Sequence, residues 1–232
     1  TSSEAEGLFA ATPPLETLRV LISEAATIEK DKNEKVLMIA DISRAFFEAP
    51  VVRLVCVELP EEDHTQADRI ADNVGHLKMS LYGTRDAAMN WQEDVAKEMK
   101  KWGFKRGQYN PCLYWQPDSG LVTLVHSDDF VSVGSRHAAA KFKSQLESKF
   151  EIKTQVIGDP VSEGGARASS GTGGLADQGV QEGRVLSRVV RWPSQGWGGG
   201  VEPDQRHVDL IIKELGLSEA KPVSTPGEAE SR

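Results

Sequence analysis

Three aspartates in this sequence could do chemistry, because each lies beside a strongly apolar run. Asp41 lies at the end of KVLMIADI (35–42), and the neighbours Asp128 and Asp129 separate two β-branched runs in TLVHSDDFVSVG (123–134). One interpretation of the pair is a solvated turn, in which aspartate side chains hydrogen-bond nearby backbone amides. Asp41 ends a strand that is predicted to be buried, so it needs a partner, water or a metal ion.

A metal site is the alternative interpretation of the three aspartates. If the strand that ends at Asp41 lies beside the hairpin that carries Asp128 and Asp129, three carboxylates converge. They repel one another unless a cation lies among them, and Mg²⁺ and Mn²⁺ prefer such oxygen ligands. Two such ions can activate an attacking hydroxyl and stabilise a leaving pyrophosphate, which is the chemistry of nucleotidyl transfer.

The periodicity of apolar residues predicts the elements that would position these aspartates. Apolar residues at helical spacing predict helices, whereas short β-branched or alternating runs predict strands. The predicted order is helix 13–28, strands 35–42, 52–60 and 76–83, helix 85–103, strand 110–116, the hairpin around 123–134 and helix 136–150. The pattern indicates an α+β fold with a palm-like split βαβ antiparallel sheet and helices on one face, an arrangement found in many polymerases and in many other proteins.

The C-terminal third of the chain has a different composition. Residues 158–184 are rich in Gly, Ser and Ala and hold few large apolar side chains, which predicts an irregular, disordered insert. Within residues 185–217 the pattern predicts a strand at 185–192 and a helix with one apolar side at 204–216. The proline-punctuated stretch 218–232 predicts a linker.

The acidic balance excludes a simple basic nucleic-acid-binding domain. The formal net charge is −8, so a nucleic acid would have to bind through a local basic patch or bound cations. The clearest patch consists of Lys97, Lys100, Lys101, Lys105 and Arg106. It could contact backbone phosphates, or it could be a solvated helix end where lysines are favoured by the helix dipole.

The two cysteines form neither a disulfide framework nor a CxxC zinc motif. Cys56 and Cys112 both lie in strand-like runs, which predicts buried free thiols and fits a reducing intracellular location. No apolar run approaches the roughly 18 residues that span a bilayer, so no membrane partner is expected. The polar N-terminus is not a signal peptide, and the missing initial Met suggests a fragment of a longer protein.

Four motifs occur in order along the chain and together carry a family resemblance. They are ADISRAFFEAP (40–50), HLKMSLYGTRDAAMNW (76–91), GFKRGQYNPCLYW (103–115) and LVHSDDFVSVGS (124–135). They resemble the reverse transcriptase domain of copia-type retrotransposons, whose usual forms are close to DVKTAFLNG, LKKSLYGLKQAPRAW, GFKRSESDPCLY and LLYVDDLLITG. The resemblance covers roughly residues 8–157 and again 185–227.

The resemblance implies an RNA-directed DNA polymerase from a Pol polyprotein. Its partners would be an RNA or DNA template with a primer, deoxynucleoside triphosphates and other Pol domains. It also implies a division of the chain into a partial fingers and palm region at 1–157, an insert without family counterpart at 158–184, a thumb- or connection-like part at 185–217 and a linker at 218–232.

The resemblance further implies which residues would hold the metal ions. Asp41 and Asp128 match the two aspartates that bind two Mg²⁺ or Mn²⁺ ions. Ile42 would lend a backbone carbonyl to the same site, and Asp129 would have a supporting metal or structural role. All three aspartates are therefore candidate catalytic residues.

The nucleotide pocket of the family maps onto Ala45, Phe46 and Asp86. The Phe46 ring would lie beneath the incoming sugar and exclude a ribose 2′-hydroxyl by a clash. Core packing is the alternative for Phe46 and Phe47, and one of the two is expected to be core. Asp86 replaces a family glutamine that contacts the nucleotide, and a carboxylate there would repel a triphosphate unless it only caps the helix.

Other departures from the family keep alternative functions open. His126 and Ser127 replace the family's Tyr-Val before the aspartates, which puts primer handling in doubt unless His126 is only an exposed strand-end residue. Most of the family's basic fingers residues have no counterpart in the chain. A catalytically inactive relic, or a repurposed nucleic-acid-binding module, is therefore an alternative to a working polymerase. A plain acidic cation-binding domain is a third, although no EF-hand spacing supports it.

Overall fold

The computed structural model describes residues 10–27, 35–71, 73–158, 179–186, 188–192, 200–203 and 205–220. Its helices are α1 (Leu15–Ala25), α2 (Gln66–Ala71), α3 (Ala87–Lys101), α4 (Arg136–Glu147) and α5 (Gln205–Glu214), with 3₁₀ turns at Ala45–Glu48 and Glu61–Asp63. Its strands are β1 (Lys35–Ile42), β2 (Cys56–Glu58), β3 (Val74–His76), β4 (Lys105–Arg106), β5 (Leu113–Trp115), β6 (Val122–His126), β7 (Asp129–Ser135), β8 (Ile152–Ile157), β9 (Gly179–Val180), β10 (Glu182–Val185), β11 (Arg188–Arg191) and β12 (Gly200–Pro203).

A seven-stranded sheet organises the fold, with the strand order β4-β5-β6-β7-β1-β8-β9. All of its neighbouring strands pair antiparallel except β8 and β9. Strand β1 lies between β7 and β8 and is buried on both faces, as its continuous apolar sequence predicts. Its C-terminal end lies beside the turn that joins β6 to β7.

Helices cover both faces of this sheet, so the prediction of helices on one face is wrong. On one face, α3 and α4 pack against Val36 and Met38 of β1. On the other, α1 and the β10–β11 hairpin pack against Leu37 and Ile39. Successive strand residues point to opposite faces, so a strand with five consecutive apolar residues, 36–40, needs cover on both sides.

The predicted strands 52–60 and 76–83 are mostly wrong, although the three long helices before residue 150 and strand β1 agree with prediction to within a few residues. Only β2 occurs in the first stretch, and its partner β3 ends where the second begins. Ser80 in the second stretch is fully buried. Its N–H donates to the carbonyl of Ala49 at 2.8 Å, and its hydroxyl accepts from Asn90 at 3.1 Å. The alternating pattern at 76–83 therefore does not mark a strand with one apolar face, because the side chain that is buried there is the polar Ser80.

The two cysteines lie in different environments. Cys112 is buried, as predicted, but Cys56 is exposed, so the prediction of two buried thiols is wrong for Cys56. Cys56 begins β2, which belongs to a separate two-stranded sheet with β3 rather than to the seven-stranded sheet. A short ribbon of this kind leaves its side chains open to water.

The C-terminal part is described only in pieces. Residues 159–178 of the predicted insert and residues 221–232 of the predicted linker lie outside the described residues, whereas the insert's last residues contribute β9 and most of β10. The single strand predicted at 185–192 is a hairpin, β10–β11, which is interrupted at Leu186 (φ 44°). Helix α5 agrees with the predicted helix, yet Ile211 and Leu215 are 57% and 66% exposed. No helix within the described ranges is long and apolar enough to cross a membrane.

Candidate active site

Strand β1 and the β6–β7 hairpin bring the three aspartates together. Asp41 lies directly opposite Asp129 in the strand register. The N–H of Ile42 donates to the carbonyl of Asp128 at 2.9 Å, which ties the end of β1 to the hairpin turn. These residues open onto a cleft of about 500 Å³, here called the acidic cleft, which is lined by Asp41, His126, Ser127, Asp128, Asp129 and Leu186.

The carboxylates of the acidic cleft repel one another. Burial raises the pKa of the Asp129 carboxyl above its usual value, and the charges of Asp41 and Asp128 raise it further, while His126 opposes the shift. Lys153 is opposite Asp41 in the β1–β8 register. Within the described part of the chain, however, no Lys or Arg forms an ion pair with any of the three aspartates. The cleft therefore has an excess of negative charge that a cation would relieve.

The tip of the hairpin is held in a strained conformation by helix α3. Ser127 has a φ of 53°, a left-handed value that is uncommon for residues other than glycine. The indole N–H of Trp91 donates to the Ser127 carbonyl at 2.8 Å. Trp91 itself is only 2% exposed and contacts Phe150 edge to face. Strained residues of this kind persist where the surrounding structure holds them, and they cluster at functional sites.

Tyr82 contacts the acidic cleft, although the sequence motifs did not single it out. Its hydroxyl donates to Oδ2 of Asp128 at 3.0 Å, while the Ser127 hydroxyl donates to Oδ1 of the same carboxylate at 2.9 Å. The Tyr82 ring stacks on Phe46, with ring centroids 4.3 Å apart and planes inclined by 22°. The signals in the sequence were its place in the motif at 76–91 and the turn glycine that follows it, Gly83, and neither gave Tyr82 a role.

The predicted nucleotide residues Ala45 and Phe46 lie in the 3₁₀ turn that follows β1. The Ala45 side chain is fully buried in the core, so any contact with a nucleotide would be through its backbone. Phe46 is partly buried against the core. Phe47 is 41% exposed, and its ring is inclined by 57° to that of Tyr82. The prediction that one of the two belongs to the core is therefore confirmed only in part, by Phe46, because neither ring is fully buried.

Asp86 lies at the N-cap of α3, but its side chain makes no capping hydrogen bond. Its carboxylate is 6% exposed and pairs with Arg53 at 3.1 Å. Burial acts to raise the pKa of Asp86, but hydrogen bonds and the charge of Arg53 outweigh it and hold the pKa below its usual value. Asp86 does not line the acidic cleft. Its charge is therefore largely neutralised by a cation of the same chain.

The basic patch lies at the other end of α3, and part of its charge is already paired. Lys101 pairs with Glu98 at 2.8 Å, and Arg106 pairs with Glu93 at 3.0 Å. The Lys105 ammonium lies over the Trp115 ring, 5.8 Å from its centroid. These contacts favour the interpretation as a solvated helix end.

The donor set of the acidic cleft suits Mg²⁺ or Mn²⁺ held partly by a substrate. Among the described residues, no three His, Cys, Asp or Glu side chains are close enough together to enclose a metal ion. Mg²⁺ seldom needs such a cage, because it is usually bound by one or two carboxylates together with water and substrate phosphates. Two carboxylates on adjacent elements of an open cleft fit that pattern.

A comparison with known protein families assigns the chain to one of them. The sequence profile of the family "Reverse transcriptase (RNA-dependent DNA polymerase)" matches residues 5–159. The chain belongs to this family. That assignment confirms the resemblance carried by the four motifs, all of which lie within the matched region.

A curated relative agrees with the family assignment. The chain is 23% identical, over 225 residues, to the "Retrovirus-related Pol polyprotein from transposon TNT 1-94" of Nicotiana tabacum. The matched region covers 94% of this chain but only 14% of the relative. The reverse transcriptase region described here therefore corresponds to a small part of that polyprotein.

Proposed function

We propose that the chain carries the palm of an RNA-directed DNA polymerase from a copia-type retrotransposon. In this reaction the primer 3′-hydroxyl attacks the α-phosphate of a deoxynucleoside triphosphate and pyrophosphate leaves. The observation that best supports the proposal is the register that sets Asp41 opposite Asp129. That register also lets Ile42 bond to the backbone of Asp128 on the neighbouring turn.

In this proposal Asp41 and Asp128 would hold two Mg²⁺ or Mn²⁺ ions. The backbone carbonyl of Ile42 would serve the same site, and Asp129 would support it. Once bound, the ions would activate the primer hydroxyl and stabilise the charge on the leaving pyrophosphate. The chain's own contribution is to fix the carboxylates, because β1 and the Trp91-held hairpin set their positions before any ligand binds.

The incoming nucleotide would bind beside Phe46, which borders the acidic cleft through its contact with Tyr82. The Phe46 ring would favour a deoxyribose by excluding a 2′-hydroxyl. The pairing of Asp86 with Arg53 supports this placement, because it removes much of the repulsion that an unpaired carboxylate would exert on a triphosphate. Nucleotide contacts of Ala45 would be made by its backbone.

The partners follow from the same proposal. A primer annealed to an RNA or DNA template would enter the cleft, and deoxynucleoside triphosphates would be the substrates. Other domains of a Pol polyprotein would cooperate with this one, since the curated relative is far longer than the chain. Synthesis would take place inside the cell.

A catalytically inactive relic that retains the fold is the second candidate. It is favoured by His126 and Ser127 in place of the family's Tyr-Val, since both residues line the acidic cleft. Such a relic would bind nucleic acid weakly or not at all and would not extend a primer. The two candidates therefore differ in one observable, which is DNA synthesis.

Primer extension on poly(rA)–oligo(dT) with Mg²⁺ or Mn²⁺ tests the proposal. We expect the wild-type chain to extend the primer and Asp128→Asn to lose at least about 100-fold in rate, because it removes a metal ligand worth several kcal/mol. Asp118→Asn is the matched control, because Asp118 is exposed in a turn outside the cleft. If folded wild-type protein extends nothing, the relic is the correct alternative.

A further inference from the structure

The hydroxyl of Tyr82 occupies an unusual place, because it bonds a carboxylate to which the proposed function gives a metal. It donates to Asp128 Oδ2 at 3.0 Å. The Ser127 hydroxyl donates to Oδ1, so each oxygen of this carboxylate accepts one hydrogen bond. A carboxylate oxygen has two lone pairs, and each oxygen therefore still has one to offer to a cation.

The ring of Tyr82 is fixed so that its hydroxyl has little freedom. One face stacks on Phe46 at 4.3 Å between centroids, and Phe47 contacts the ring at 5.5 Å. Gly83 follows in a left-handed conformation (φ 88°) that turns the chain away after the tyrosine. The hydroxyl therefore reaches Asp128 from a loop 46 residues away in sequence, at a position that the stack determines.

Asp128 needs such an anchor more than an isolated aspartate does. Asp129 is its sequence neighbour, Asp41 lies across the sheet from Asp129, and both are negatively charged. Without a cation, repulsion would favour rotamers that turn the Asp128 carboxylate away from the other two. A neutral hydroxyl donor opposes that movement without adding a positive charge that would compete with the metal.

We propose that Tyr82 is a positioning residue that holds the Asp128 carboxylate in its metal-binding orientation. The inference rests on the proposed function, which assigns Asp128 to the metal. Outer hydrogen bonds to metal-ligating carboxylates orient the ligand, and their loss typically weakens metal affinity by about 10- to 100-fold. The opposite possibility is that the hydroxyl competes with the cation, in which case its removal would tighten binding.

Direct Mn²⁺ binding separates these possibilities. Free Mn²⁺ is measured by electron paramagnetic resonance, without nucleotide or nucleic acid, in the wild type and in Tyr82→Phe, which keeps the ring stack and removes only the hydroxyl. Tyr109→Phe is the matched control, because the Tyr109 ring is 97% exposed. Asp128→Asn reports which part of the binding belongs to the cleft. Urea unfolding midpoints of all four proteins show whether each variant is folded.

We expect Tyr82→Phe to bind Mn²⁺ about 10-fold more weakly with an unfolding midpoint close to that of the wild type. Tyr109→Phe should match the wild type, and Asp128→Asn should lose the site. If Tyr82→Phe binds Mn²⁺ as tightly as the wild type, or more tightly, while Asp128→Asn loses binding, the positioning role is overturned and the proposed function is not. If the wild type shows no binding that depends on Asp128, the proposed metal site and the positioning role are both overturned.

Discussion

The two ends of helix α3 lie beside charged groups that are arranged in opposite ways. Near its start, Trp91 supports the acidic cleft, whose three carboxylates form no ion pair with a Lys or Arg in the described ranges. At its end, Lys101 pairs with Glu98, and Arg106, which follows on β4, pairs with Glu93 in the middle of the helix. The start of the helix therefore supports a strained turn beside three carboxylates of like charge, whereas charges at its end are paired with charges of opposite sign.

We interpret the acidic cleft, whose charges are unpaired, as a functional site, and the basic patch, whose charges are partly paired, as ordinary protein surface. In each of the two pairs one partner is more than half exposed. Ion pairs at the surface contribute about 0–1 kcal/mol each, so the basic end is ordinary surface electrostatics. Like charges brought together on a strained backbone lower stability and persist where a function requires them. Whether the fold supplies a partner for a charged group indicates a functional site better than the sign of the charge does.

Trp91→Phe should cause the largest loss of activity among the variants that distinguish the two ends of α3. Trp102→Phe is its counterpart at the other end of the helix. Trp91 donates to the Ser127 carbonyl, whereas Trp102 packs edge to face on Phe142. We expect Trp91→Phe to slow primer extension by about 10-fold or more, because small displacements of catalytic groups are costly. Trp102→Phe should lower stability by about 1 kcal/mol and leave the extension rate within about 2-fold.

Both variants are measured by primer extension and by urea unfolding. Equal losses of activity in the two variants, after correction for the folded fraction, would show that α3 acts only as a packing element. In that case the start of α3 would have no special role in holding the acidic cleft.

Arg53→Gln tests whether a carboxylate near the start of α3 depends on its partner, because Asp86, unlike the carboxylates of the acidic cleft, is paired with an arginine. The variant would leave this buried carboxylate unpaired, and we expect it to lose about 1–3 kcal/mol of unfolding free energy at pH 7. Arg44→Gln is the matched control, because its pair with Glu151 is 73% and 68% exposed. The control should lose less than about 0.5 kcal/mol.

The pH dependence of this pair has a definite sign. The pKa of Asp86 is held below its ordinary value of 3.8 in the folded chain. The pair therefore stabilises the fold fully above the pKa of an unfolded aspartate, and this stability is lost as the pH falls through the folded pKa. The difference between wild type and Arg53→Gln should shrink on acidification. A difference that is constant between pH 7 and pH 3 would contradict the assignment.

Much of the fold and of the candidate site could be predicted from local sequence. Strand β1 contains a continuous apolar run at 36–40, and the length and composition of this run exclude most alternatives. Helices α3 and α4 have clear apolar faces. The proximity of Asp41 to Asp128 and Asp129 followed once β1 was assumed to lie beside the hairpin, and the register bears this out.

The remainder depended on contacts between distant segments. The bond from Tyr82 to Asp128 joins residues 46 positions apart, and no periodicity encodes it. The pairing of Arg53 with Asp86 was likewise not predicted, because the isolated motif suggested only that Asp86 would repel a triphosphate or cap the helix. The prediction at 76–83 failed because burial there runs against the apolar alternation. The apolar Met79 is 37% exposed, whereas the polar Ser80 is fully buried and hydrogen-bonded to two partners.

Whether the acidic cleft binds a divalent cation is tested by the melting temperature of the wild type and of Asp41→Asn, each with and without Mn²⁺. The Asp41 side chain makes no hydrogen bond or ion pair within the described residues, so the substitution removes charge and little else. Without a cation, Asp41→Asn should melt about 1–2 °C higher, because repulsion is relieved. With Mn²⁺ at about 100 times its dissociation constant, the wild type should gain about 2.7 kcal/mol and melt above the variant. If Mn²⁺ leaves the wild type unchanged, or raises both proteins equally, the acidic cleft is not a metal site.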